Sequence, residues 1–111
     1  MDEAVLGALL LDVKNHLDVT WADAGLENKL RGIIRLGVAY LDSKLGEPGD
    51  YTADGYPRML LFEYVRYARD GALDVFECNY KSMILAMQKE RRVREYAKKA
   101  FSAQKRNLSD L

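Results

Sequence analysis

A chain of 111 residues has room for one domain, which excludes a multidomain enzyme. With 49% apolar and 31% charged residues and only two prolines, it is too rich in core-forming side chains to remain disordered. Seventeen basic and seventeen acidic residues cancel, so any case for nucleic-acid binding has to rest on a local feature and not on the net charge.

In chain order, Leu6, Leu9, Leu10, Val13 and Leu17 recur at helical spacing, with Asp12, Lys14, Asn15 and His16 between them. This predicts an amphipathic first helix ending near Asp18. The apolar run Ala4 to Leu11 is eight residues long and follows Asp2 and Glu3. A signal peptide needs a basic start and a membrane span about 20 apolar residues, so neither an export signal nor membrane association is expected. Thr20 and Asp23 offer a hydroxyl and a carboxylate to the free amides of a helix start, which places the beginning of a second helix there. Its stripe is Leu26, Leu30, Ile33, Ile34, Gly37, Leu41 and Leu45, with Glu27 placed to pair with Arg31 on the outer face; Gly46 and Pro48 stop it.

Residues 46–56 hold three glycines and no hydrophobic period and predict a contact loop, within which Tyr51 and Tyr56 are candidates for partner contacts. Pro57 opens a third helix, whose buried face is Leu60, Leu61, Tyr64, Val65 and Ala68 and whose end is Gly71. Phe62 and Tyr67 fall off that stripe and are expected to be aromatic surface seeking a partner. A fourth helix carries Leu73, Phe76, Tyr80, Met83, Ile84 and Met87 on one face, with Asp74 and Glu77 near its positive end. Strand alternation and internal repeats are missing, so the fold class is all-α: a small bundle of about four helices plus a basic C-terminal helix.

That basic helix begins where the composition changes. Residues 89–106 hold eight basic and two acidic side chains, a net of plus six, whereas residues 1–88 carry minus five. The chain therefore divides into a helical core, 1–88, and a basic C-terminal helix or docking tail, 89–111. Val93, Tyr96, Ala97, Ala100 and Phe101 keep helical spacing, out of phase with Met83, Ile84 and Met87, which reads as a bent or separate fifth helix. Its candidate contact residues are Arg91, Arg92, Arg94, Tyr96, Lys98, Lys99 and Phe101.

Catalytic and metal-binding patterns are incomplete. Asp50, Thr52, Asp54 and Gly55 resemble the first half of a calcium loop, but Leu61 occupies the position that needs a bidentate glutamate. One cysteine, Cys78, and one histidine, His16, make neither an internal disulfide nor a Cys/His zinc site; a reducing compartment is expected. Cys78, next to the buried positions of the fourth helix, reads as packing, and His16 as a structural residue at a helix C-terminus. Every common catalytic constellation lacks a member, so neither an enzyme nor a cofactor is expected.

Several strings, in order, resemble the head-tail connector proteins, or adaptors, of long-tailed bacteriophages and prophages. They are Leu10-Leu-Asp-Val-Lys-Asn-His-Leu-Asp-Val-Thr-Trp21, Leu30-Arg-Gly-Ile-Ile34 with Ala39-Tyr-Leu-Asp42, Leu60-Leu-Phe-Glu-Tyr-Val-Arg-Tyr-Ala-Arg-Asp70, and Ala72-Leu-Asp-Val-Phe-Glu77. The resemblance spans roughly residues 9–88 and departs after Gln88, where the basic tail is longer than the shared core. It implies a structural virion protein, made in the bacterial host cytoplasm, that forms a dodecameric ring below the portal protein and receives the next connector, a stopper or the tail. DNA passes through the lumen unread, and the isolated chain can be monomeric. The competing reading is a small helical nucleic-acid-binding regulator using the basic segment on phosphates, with no membrane role in either case.

Overall fold

Asp2 starts the first helix by accepting a hydrogen bond from the Ala4 amide at 2.7 Å, and a computed structural model describing residues 1–109 shows four helices. They are α1, Glu3–His16; α2, Ala24–Leu45; α3, Tyr56–Arg69; and α4, Leu73–Ser109. Among the described residues there is no strand, and no helix is long and apolar enough to cross a membrane. The last two positions of the expected tail lie outside the described residues.

Leu6, Leu9, Leu10 and Val13 bury the inner face of α1. The chain then turns through Asp18, whose φ of 58° is left-handed, a region aspartate tolerates better than most residues. Val19 is tucked under, its amide donating to the Lys14 carbonyl at 2.8 Å. This throws Trp21 outward and delays α2: Asp23, and not Thr20, is the N-cap, accepting from the Leu26 amide at 3.0 Å. Glu27 likewise turns from Arg31 to α1, where it pairs with Lys14 at 2.7 Å, while Arg31 donates to Asn28.

Helices α2 and α3 approach closely at Gly37, where a Cβ would stand 2.8 Å from side-chain atoms of Leu61 and Tyr64. Gly46 ends α2 in the left-handed conformation, its amide returning to the Asp42 carbonyl. Pro57 sits in the first turn of α3. The core centres on Phe76 of α4, which stacks on Tyr80 at 5.1 Å and meets Tyr40, Tyr64 and Tyr67 edge-on at 6.0, 5.5 and 5.6 Å. Each such ring pair adds about 0.5–1.5 kcal/mol beyond its area burial.

The fourth and expected fifth helices are one. Helix α4 spans 37 residues and is kinked at Tyr80, well before the basic segment; from there to Ser109 it continues without a further break, about 44 Å at 1.5 Å per residue. The change of phase is a change of side: nine residues separate Ile84 from Val93, about two and a half turns, so the second stripe faces away from the core. Continuity makes the molecule 64 × 31 × 19 Å with a radius of gyration of 17.5 Å. A compact chain of this length would have about 13 Å.

Three other expectations change. Tyr80 is half-buried, its hydroxyl donating to Glu63 at 3.0 Å. Cys78 is exposed, because two residues from Phe76 is more than half a turn round the helix. Phe62 and Tyr67 are half-buried within the chain: Phe62 lies beneath the Arg58 guanidinium and beside His16, and Tyr67 packs on Phe76 and Tyr80.

Leu30, Ile34, Leu41, Leu61, Tyr64, Val65 and Phe76 are buried as their spacing predicts. Ile34→Ala should lower the unfolding free energy by about 2–5 kcal/mol in urea denaturation; a loss below about 0.5 kcal/mol would contradict this packing.

Candidate functional site

The loop between α2 and α3 forms a base for the outer half of α4. Asp42 accepts from the Gly49 amide at 2.9 Å and the Tyr51 hydroxyl at 2.5 Å. Arg58 donates to the Tyr51 carbonyl at 3.1 Å and to Asp12 at 2.8 Å. Tyr51 is only 3% exposed, so it anchors the loop and is not a partner contact; the loop expected to be a contact surface is pinned. Burial, reinforced by the Asp42 carboxylate, raises the Tyr51 phenol well above its ordinary pKa. Asp50 bends back on Thr52, accepting from its amide and hydroxyl, and those bonds lower its carboxyl.

Helix α4 is fastened to this base. Gln88 donates to the Lys44 carbonyl at 2.9 Å, Lys44 pairs with Glu77, and Arg91 and Arg94 reach Glu47 at 3.4 and 3.5 Å. Partly exposed pairs of this kind add at most about 1 kcal/mol each, so they orient the helix more than they stabilise it. They also remove Arg91 and Arg94 from the freely available charges. Between the loop and α4 lies a cleft of about 390 Å³ whose wall mixes Glu47, Asp50, Asp54 and Glu90 with Arg94 and Lys98. Half-buried Tyr56 joins it to a second, apolar hollow of about 460 Å³ formed with Ala86 and Val93. Among the described residues there is no group of three His, Cys, Asp or Glu side chains able to hold a metal ion.

Past Arg94 the helix leaves the core. Val93, 58% exposed, stands at the rim of the hollow beside Tyr56; beyond it Tyr96 is 74%, Phe101 68% and Leu108 65% exposed, with Ala97 and Ala100 between them, an apolar stripe that no other helix covers among the described residues. Lys98 pairs with Glu95 at 3.8 Å, whereas Arg92 and Lys99 have no acidic partner among the described residues. The arrangement can supply a helical apolar ridge with positive flanks. It thus brings together Tyr96, Phe101, Arg92, Lys98 and Lys99, and leaves Tyr51 in the interior and Phe62 and Tyr67 half-buried against the bundle.

Two features went unread in the sequence. Glu63 is a hub, accepting from Tyr80, facing His16 Nε2 at 3.0 Å and reached by Arg66 at 3.7 Å. Burial, followed by the Glu63 bond, pushes the Tyr80 phenol up to about 12. No linear pattern links positions 16, 63 and 80. The other is Trp21, 52% exposed in the α1–α2 connector, for which a tryptophan set between acidic residues was the available signal.

No family model, curated protein or solved structure matches this chain.

A phenol whose folded pKa is raised keeps its stabilising contribution below the unfolded value of 10.0 and loses it as pH climbs past that value. Stability should therefore fall in alkali above pH 10. Tyr51→Phe, which leaves Asp42 short of a donor, should lower stability at neutral pH by about 1–3 kcal/mol and flatten the alkaline fall. Chemical denaturation across pH, followed alongside phenolate absorbance, measures both. An unchanged alkaline slope in the variant would show that Tyr51 is not one of the late-titrating phenols.

Proposed function

We propose that this chain is a structural assembly protein, a head-tail connector or adaptor that joins a filled bacteriophage capsid to its tail. The observation that carries the reading is the outer half of α4: a helix tied down at its base, with positive flanks and an apolar stripe that no other helix covers among the described residues. The order of the strings spanning roughly residues 9–88 supports the same reading.

In that role the protein turns nothing over and needs no cofactor. Copies meet through unlike surfaces, the arrangement that closes into a ring, here a dodecamer below the portal. The portal acts as template by raising the local concentration of chains that are monomeric when dilute. The finished ring receives the next connector, a stopper or the tail, and DNA passes through unread. Positive charge speeds and orients docking, while Tyr96 and Phe101 supply most of the lasting affinity. The protein then resides in the virion at the head-tail junction, after synthesis in the bacterial host cytoplasm.

A nucleic-acid-binding regulator is the second reading, favoured by Arg92 and Lys99, which lack acidic partners among the described residues. It predicts duplex binding that falls steeply with salt; the apolar stripe has no task in it.

In the virus or prophage that encodes the chain, Phe101→Ala should leave filled heads and free tails unjoined, lowering joined particles at least about tenfold, as expected for loss of an interface anchor. Arg92→Glu with Lys99→Glu should slow docking mainly at low ionic strength. Arg91 and Arg94 are left intact because they hold Glu47. Normal joining by Phe101→Ala particles in electron micrographs would overturn the reading.

A further inference from the structure

We propose that the receptor for the α4 projection is the α1–α2 connector of a second copy of this chain, centred on Trp21. This rests on the preceding reading only in treating the projection as a docking arm; it names what the arm grips.

Charge is distributed by position along the chain. Residues 1–27 carry six acidic side chains and one lysine, a net of minus five; residues 28–88 balance at eight of each; residues 89–106 carry plus six. Arg35, Arg58 and Lys14 pair with Glu3, Asp12 and Glu27, so the negative pole left open is the α1–α2 connector itself, and it holds an anchor of the residue type most enriched at binding hot spots. Trp21 is half exposed, with Asp18 three residues before it and Asp23 two residues after, both also exposed. It is presented on a braced segment, since Val19 is buried on one side and Asp23 caps α2 on the other.

The positive pole complements it. Ala97 and Ala100 form a low floor beside Tyr96 and Phe101, suited to the flat indole, and Arg92 and Lys99 are available to face the aspartates or the ring. Two projections would repel each other, which disfavours pairing like with like. The poles also cannot meet within one chain. The connector precedes the N-terminus of α2, the last anchor of α4, Glu47, follows its C-terminus, and 22 residues of helix put about 33 Å between them. Contact therefore has to run from the projection of one copy to the connector of the next, an unlike pairing that propagates.

Trp21 is the only tryptophan, so its emission reports the contact directly. On concentrating the full-length protein from about 1 μM to about 1 mM at low ionic strength, a range spanning weak affinities, emission should shift to the blue as sedimentation shows larger species. Salt near about 0.5 M should reverse both. Phe101→Ala and Trp21→Ser should each stay monomeric with unchanged circular dichroism. Mixed in equal amounts, they should form a one-to-one pair with blue-shifted emission, because one retains the receptor and the other the arm.

Association of Phe101→Ala alone at the wild-type concentration, a mixture that stays monomeric, or wild-type association without a tryptophan shift would each overturn the proposal. A wild-type chain monomeric throughout, while Phe101→Ala still blocks head-tail joining, would sink self-docking and leave the connector reading standing. Self-docking with normal joining by Phe101→Ala particles would do the reverse.

Discussion

Helix α4 has to satisfy two environments with a single stretch of helix that runs on without a further break from its kink at Tyr80 through the basic segment, and most of the structure follows from that demand. Its first half supplies Phe76, Ile84 and Met87 to the core, which fixes the helix and removes the cost of nucleation. The second half then only propagates. A helix of about 15 residues is marginal on its own in water. Here alanines at 97, 100 and 103 and cations toward the C-terminus favour its continuation.

Apolar and polar contacts divide the work. The aromatic cluster around Phe76 and the close α2–α3 approach at Gly37 hold the bundle together. The ionic contacts at Glu47, by contrast, are partly exposed and of small energy; what they determine is direction. With Gln88 on the Lys44 carbonyl they aim α4 away from the end of α2. The Asp42–Tyr51 bond keeps the intervening loop from yielding under them. A braced base fixes the direction from which the projecting stripe starts, which would lower the ordering entropy lost on docking.

The sequence made the helices legible because each core stripe is long and regular: Leu30, Ile34, Leu41 and Leu61, Val65 lie where the 3.6-residue period puts them. It misled where one local pattern admits two geometries. A stripe that changes phase after Met87 signals either a bend or a change of side, and beyond Met87 only the second occurs, the kink of α4 lying earlier, at Tyr80. Thr20 and Asp23 both offer capping oxygens, and the burial of Val19 decides between them. Phe62 and Tyr67 lie off the main stripe of α3 yet find cover: Phe62 from Arg58, one turn earlier on the same helix, and from His16 of α1, and Tyr67 from α4; the contacts with α1 and α4 are ones no periodicity contains. Tyr51 looked like loop surface because its partner, Asp42, lies nine residues back on α2. Tyr96 and Phe101 were readable because the surprise lay in composition, an apolar stripe within a dense run of cations.

The central claim is that the stripe beyond Arg94 is a docking surface that becomes covered on assembly. Hydrogen exchange along α4 tests it most directly, comparing the dilute chain with the same chain in its assembled form. In the dilute chain, amides from about Phe76 to Arg94 should be protected and those from Glu95 to Leu108 should exchange fast, as a frayed and solvated helix does. On assembly, exchange from Glu95 to Leu108 should slow by about tenfold or more while the core stays as it was. Equal exchange over Glu95 to Leu108 in both states would contradict the account and make the projection a solvated extension.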